Sequence, residues 1–587
     1  MNLKLRLVAL LLVVIMCLSS CDLFNFIGGS DPTTTESTTT TTTKKSTTLK
    51  STTPKSTSST TTLPKLPESS FDPSSNSVSK ASLVAQYTLT QEEVDATKAI
   101  LDSMVTLSMD PDANTDDMDA LYEEFETKFY HIAQQMTISM IIYYYNMADE
   151  ESSERYLATQ EMFYDVQDTY NQALKTMYLE SPHKDELFEG WSEEELKELE
   201  DYDPAIVQLK KDIDALQVQY DQLTGSEADY DDICVEIYKQ LVVKNNQLAR
   251  LNKYDNYYDY ASVNVYGRDY NKEKLTSFRD YVVKYVVPYV MSLLSEYKSY
   301  SKWDSTSKKS RVEEFLNDKF YTSTKRNYVS AYLNSLGDTT MGNSMRDVFE
   351  SKNCIFSIEK QSHRTAFQTY LYEDDNPFCF FGSNGQSANT VIHEIGHYYA
   401  ALVNHEIDNY DLCETHSQGN EFLFLTYCQP YMNADVYNIV EAYSLVNACY
   451  IMVLATIIDE FEQRIYALDD ETISAMTSDE IDAIMTSVCE PYGGAYWVGN
   501  LSDPYAYWRL VCISNPVYYI SYAVSASASI NIYALAQEDY DAAILAYTAL
   551  VEGVSAEDGF LKVLTNAGFT TPFEEETFVN IAGILSK

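Results

Sequence analysis

His393 and His397 stand four residues apart with Glu394 beside the first, in the stretch Thr390-Val391-Ile392-His393-Glu394-Ile395-Gly396-His397. On a helix, residues four apart share a face. Two imidazoles at this spacing can therefore reach one divalent ion, at ~2.0–2.1 Å each for zinc. Glu394 lies too far round such a helix to be a third ligand in the same plane. It is placed instead to take a proton from an attacking water. Val391, Ile392, Ile395 and Tyr398 supply a packed side, and Gly396 lets another element approach closely. The chain has only seven histidines, so the pattern is rarer by chance here than in an ordinary sequence. Two surface histidines on a helix are the bland alternative.

A hydrolytic zinc needs a third protein ligand and an open fourth position. Downstream stands Glu414-Thr415-His416-Ser417-Gln418-Gly419-Asn420-Glu421. Glu414 and Glu421 are seven apart, two helical turns, on one face. One could bind the metal while the other accepts the spare N–H of a ligand histidine. His405 and His416 are competing ligand candidates, each equally readable as an ordinary surface or core histidine.

The elements that must carry these residues read as mostly helical. Proline and glycine are few, at 15 and 18 among 587 residues, and apolar stripes at helical spacing recur. Ile206, Leu209, Ile213, Leu216, Tyr220 and Leu223 form one stripe, with Thr224-Gly225 as a stop. Ile233, Ile237, Leu241, Leu248 and Leu251 form a second, and the pair reads as an antiparallel helical hairpin. Ala442 to Ile458 is apolar but falls short of the ~20 residues that span a bilayer, and it reads as a buried core helix. Pro377 to Phe381, closed by Gly382-Ser383-Asn384-Gly385, reads as a strand and turn before the metal helix. An exposed strand there could pair with an extended peptide.

At the N-terminus, Lys4 and Arg6 precede an apolar run from Leu7 to Leu18, followed by Ser19-Ser20-Cys21. These are the parts of a secretory signal. Leu18 to Cys21 resembles a bacterial lipobox, which implies acylation of Cys21 and anchorage on the outer face of the cell membrane. Thr33 to Leu63 is nearly all Thr and Ser and cannot bury enough apolar surface to fold. The expected organisation is a signal over 1–21, a disordered tether over 22–80 and a catalytic body over 81–587. Within that body a helical hairpin region spans about 81–290 and a zinc-site region about 350–587. Of ten cysteines, Cys17 and Cys21 lie in the signal segment; the other eight contain no CxxC pair and read as buried thiols, with one or two disulfides open. The net charge of −47 excludes nucleic acid as a partner, since phosphate binding needs clustered Lys and Arg. The same charge is either a solvated surface or a field favouring cationic peptides.

The chain resembles the oligoendopeptidase F and thimet oligopeptidase family of zinc peptidases. The resemblance rests on Tyr254 to Tyr260, on Tyr266-Gly267-Arg268-Asp269-Tyr270, Phe278-Arg279-Asp280 and Val287-Pro288, and on Ser387 to His397. It continues in Glu414-x-x-Ser417-Gln418-x-x-Glu421, Asp459-Glu460-Phe461-Glu462 and Pro516-Val517-Tyr518-Tyr519-Ile520-Ser521-Tyr522-Ala523, and ends in Gly553, Gly568 and Pro572. It implies a mainly α, zincin-like helical bowl with a deep central channel and a small β-element before the metal helix. It implies one Zn²⁺ per chain on His393, His397 and Glu414, with Glu421 behind them and oligopeptides as substrates. Glu394 would be the general base, and Tyr522 or Tyr518 would donate to the oxyanion. Cys512 stands where the family has a histidine that helps the transition state, and Ala400 where many members have another. That departure motivates a second reading, a surface lipoprotein that binds peptides with weakened catalysis. A helical zinc carboxypeptidase is a third, and the segment Tyr257 to Tyr270 favours the endopeptidase over it.

Overall fold

The computed structural model describes residues 63–67, 76–223, 229–292, 321–404, 409–494, 496–497, 507–555 and 558–586. Cys21 and its signal, most of the Thr/Ser segment, Thr224-Gly225 and His405 lie outside the described residues.

Three long helices come first: α1 (Gln91–Ser108), α2 (Thr115–Tyr145) and α3 (Glu150–Glu180). Thr90 and Glu93 form a capping box at the start of α1, satisfying two backbone N–H groups that a helix start leaves open. The three helices share a core with Leu101, Phe125, Phe129, Phe163 and Tyr170, and the rings of Phe125 and Tyr170 stack at 5.0 Å. This bundle extends the N-terminal region beyond the hairpin read from sequence. The hairpin itself is α4 (Ala205–Asp221) and α5 (Tyr230–Leu251). Ile213, Leu216 and Tyr220 share a second core with Ile237, Leu241 and Leu248. Val207 and Val218, on the other side of α4, join the core of the first bundle.

A three-stranded sheet follows, with β1 (Cys354–Phe356), β2 (Ala366–Leu371) and β3 (Asn376–Phe381) in the order β1-β3-β2. β3 runs parallel to β1 and antiparallel to β2. Successive strand residues point to opposite faces, and here the faces enter different cores. Cys354, Ala366, Cys379 and Phe381 join the second core, while Ile355, Phe367, Phe378 and Phe380 join the first. The expected strand before the metal helix is therefore present. It is the central strand, hydrogen-bonded on both sides and buried from Pro377 to Phe381, so β3 offers no free edge to a peptide. That corrects the expectation of an exposed strand. The apolar run marks the strand but not its neighbours, and two strands and two cores cover it.

The second core is completed by α6 (Ala388–Val403), α7 (Tyr410–Cys428), α8 (Ala434–Tyr466), α9 (Ile520–Glu538) and α10 (Tyr540–Glu552). α8 contains the apolar run from Ala442, and every residue from Asn447 to Ile458 is buried. It is long and apolar enough to cross a membrane, yet 61% of its most apolar window is covered by the protein, as a core helix requires. All eight cysteines among the described residues are free thiols.

Candidate metal centre

α6 starts at Ser387, whose hydroxyl accepts from Thr390 N at 3.0 Å, and α7 starts at Asn409, whose side chain accepts from Leu412 N at 3.0 Å. These caps fix where each helix begins. The two helices then pack closely at Gly396. A Cβ there would lie 2.9 Å from His416 O and 2.9 Å from Ser417 Cα. Asn420 Nδ2 donates to Ile392 O at 2.7 Å, and Tyr332 OH holds Asn420 Oδ1 at 2.6 Å. This locking brings Glu414 over the histidines.

His393 Nε2 and His397 Nε2 are 3.2 Å apart, and Glu414 Oε2 lies 3.4 Å from the first and 3.7 Å from the second. An ion with ligands at ~2.0–2.1 Å in tetrahedral geometry sets those ligands about 3.3–3.4 Å apart. The three atoms thus fit one small divalent ion, and His393, His397 and Glu414 form a group that could hold a metal. All three side chains are buried. His393 Nδ1 is 2.7 Å from Glu421 Oε1. With the carboxylate accepting, Nδ1 carries the proton and Nε2 keeps its lone pair for a metal.

Glu394 is fully buried, and among the described residues neither of its carboxylate oxygens has a hydrogen-bond partner. An orphaned buried carboxylate beside three convergent ligands calls for a group that is absent from the protein itself. Burial first, then Glu414 and Glu421 against the opposing pull of His393, push Glu394 up to about 8. Burial brings His397 down to about 3, which favours the neutral imidazole that coordinates metals. Burial also pushes Glu414 up, but His393, His397 and Tyr518 more than offset it, so this carboxyl lies below its usual range.

His416 points away from the centre; its Nε2 lies 2.9 Å from Leu550 O, and burial lowers it to about 4. It is a core histidine. Tyr518 is buried and its hydroxyl donates to Glu414 Oε1, so in this structure it faces the carboxylate rather than open space for an oxyanion. Tyr522 is buried beside it, edge-on, with ring centroids 5.1 Å apart. Cys512 is buried, and burial followed by the neighbouring Glu462 pushes its thiol well up. Sequence reading matched Tyr266 to Tyr270 and Asp459 to Glu462 to known segments but gave Arg268, Asp411 and Glu462 no task. All three are buried around the turn that carries Tyr518. No local signal in the sequence marks them, since each lies among other polar or charged residues.

Tyr518, Pro516, Tyr266 and Tyr410 also line a cavity of about 210 Å³ whose far side is α4, with Lys210, Asp214 and Asp221. The cavity thus joins the metal-centre side to the N-terminal helices.

No family model matches the chain, and no curated protein matches it. Solved structures do match over most of their length. Pz peptidase A with an inhibitor is 18% identical with a TM-score of 0.66, covering 84% of this chain and 97% of that one. A structure described as an oligoendopeptidase F from Bacillus anthracis is 16% identical with a TM-score of 0.63, covering 85% and 96%. Metallocarboxypeptidase 1 from Trypanosoma cruzi is 11% identical with a TM-score of 0.53, covering 83% and 99%. The chain has the mainly helical fold of oligoendopeptidase F, with a small sheet before the metal helix.

Proposed function

We propose that the chain is a zinc-dependent peptidase that cleaves short oligopeptides outside the cytoplasm. The observation that carries this reading is the convergence of His393, His397 and Glu414 within 3.2–3.7 Å beside the unpartnered carboxylate of Glu394. The shared fold with Pz peptidase A and oligoendopeptidase F supports it.

Zinc held by His393 Nε2, His397 Nε2 and Glu414 Oε2 would supply Lewis-acid polarisation of the scissile carbonyl and of the attacking water. Glu421 keeps His393 in the ligating tautomer. Glu394 takes the water proton and passes it to the leaving amine. Its elevated affinity for protons suits the first half of that task, and a nearby cation would lower that affinity towards the ordinary carboxylate range and keep the group ionised before attack. Tyr522 is the proposed donor to the developing oxyanion, a contact worth about 100- to 1000-fold in rate. The cavity beside Tyr518 is the proposed seat for substrate. In this reading Cys21 carries lipid and the Thr/Ser-rich segment after it holds the body off the outer face of a bacterial membrane, while Asn76 and Val78 already bond to the body at Phe349 O and Cys354 O. Replacement Cys21→Ser would then release the protein into the soluble fraction.

The test is metal content and cleavage of a mixed peptide library by the full-length chain, with and without chelator, alongside Glu394→Gln. Stoichiometric zinc, chelator-sensitive cleavage and a loss of about 100- to 10,000-fold in the variant are expected. Bound metal without turnover in the parent chain would point to the peptide-binding lipoprotein. Undiminished cleavage by Glu394→Gln would remove that residue from its role. Products shortened by one C-terminal residue would identify a carboxypeptidase.

A further inference from the structure

Val517 adopts φ +66° and is buried. A β-branched residue in the left-handed region is a genuine outlier and persists only where its surroundings over-determine it. The next residue is Tyr518, whose hydroxyl reaches Glu414 Oε1.

Three side chains grip this turn. Glu462 Oε1 accepts from Val517 N at 2.9 Å, and Tyr266 OH donates to Pro516 O at 2.6 Å. Arg268 Nη2 donates to Val517 O at 2.8 Å, Tyr518 O at 3.2 Å and Ser521 Oγ at 3.1 Å. The same guanidinium places Nε 3.8 Å from Asp411 Oδ1, with both side chains buried. Asp411 lies on α7 three residues before Glu414, about one turn away. One guanidinium therefore links the turn that carries Tyr518 to the helix that carries Glu414. Tyr518 engages Oε1, while Oε2 is the oxygen near both histidines.

We propose that Arg268 is a positioning residue of the metal centre: it ties the Val517 turn to α7 so that Tyr518 holds Oε1 of Glu414 and leaves Oε2 for the ion. The inference rests on the metal reading above. Arg268 acts through Tyr518 and touches neither the ion nor the substrate. Lysine cannot replace it, because one ammonium lacks the planar fork that serves several acceptors together. The segments around Arg268 and around Val517, far apart in sequence, meet through these bonds and through the rings of Tyr266 and Tyr518, whose centroids are 5.5 Å apart.

The test is a double-mutant cycle read as metal affinity. Zinc binding to the full-length chain is measured against a competing chelator for the parent, Arg268→Lys, Tyr518→Phe and the double variant. Each single change is expected to weaken binding about 10-fold, the lower end for a group that orients a ligand. The double variant is expected to match the weaker single, because both changes cut the same link. Cobalt loading adds a spectrum that reports ligand geometry, and Arg268→Lys and Tyr518→Phe should shift it alike. Should Arg268→Lys fail to fold, Tyr266→Phe takes its place, since it removes one grip on the same turn. Additive losses of about 100-fold, or a folded Arg268 or Tyr266 variant with parental affinity and spectrum, would overturn the proposal. A parent chain that binds no zinc would instead overturn the metal reading itself.

Discussion

The bond between His393 Nδ1 and Glu421 Oε1, at 2.7 Å, decides which nitrogen of His393 is free. Glu421→Ala removes that acceptor without touching the three convergent atoms. The ring can then rotate or change tautomer, and zinc affinity is expected to fall about 10- to 100-fold while the fold survives. Glu421→Gln keeps an acceptor oxygen and should lose less. Chelator competition measures both, and equal affinity in parent and Glu421→Ala would discard this role. The pair was legible in sequence because two turns separate Glu414 from Glu421 on one helix, so a single register places both. Arg268 was not legible in the same way. Its acceptors lie about 250 positions away in the chain, at Val517, Tyr518 and Ser521, and no local period links them.

Helix contact, rather than ligand identity, sets where Glu414 stands. Gly396→Ala would force a Cβ to 2.9 Å from the backbone of α7 at His416 O and Ser417 Cα, two and three residues beyond Glu414. Backbone cannot rotate aside as a side chain can, so α7 must shift. The expected cost is about 1–3 kcal/mol with a parallel loss of zinc affinity. Gly583→Ala is the control. Among the described residues nothing lies within 4 Å of its Cβ position, in the helix Glu575–Leu585, and the change should add about 0.4–1 kcal/mol. Denaturant melts and zinc titrations of the two variants check both signs. The close approach at Gly396 could be read from sequence, since a glycine between two metal-spaced histidines has no other evident use. Strand pairing could not. The run Pro377 to Phe381 marks a strand, but its partners Cys354–Phe356 and Ala366–Leu371 are short and carry no period that sets their order. The hairpin stripes of α4 and α5 were legible for the converse reason: spacing of three and four along one chain segment is local information.

The charge of the whole molecule enters the cavity on α4. Asp214 and Asp221 line it with Lys210, four and eleven residues along one helix face. Burial pushes Asp221 up to about 7; it also pushes Asp214 to about 7, with Tyr164 and Lys210 opposing. Both carboxyls hold protons more tightly folded than unfolded, so the native state binds more protons between about pH 4 and pH 7. Stability from these two groups is greatest below that window and falls as pH rises through it. Asp221→Asn removes one such penalty. The variant should melt a few degrees above the parent at pH 8 and level with it at pH 4, measured by thermal unfolding of the metal-free chain. Once ionised, the same carboxylates sit within a surface field set by 88 acidic against 41 basic residues. With both carboxylates ionised against Lys210 the cavity is net negative; it then draws cationic ligands and loses that pull as the screening length shrinks from about 30 Å at 0.01 M to about 3 Å at 1 M. If the cavity seats substrate, kcat/KM for a Lys- and Arg-rich peptide should fall steeply over that range while a neutral peptide of equal length changes little. Asp221→Asn should shrink the difference at low salt. A cationic and a neutral peptide with the same salt profile would mean that the charge serves only to solvate the surface, and that substrate is chosen by the shape of the cavity alone.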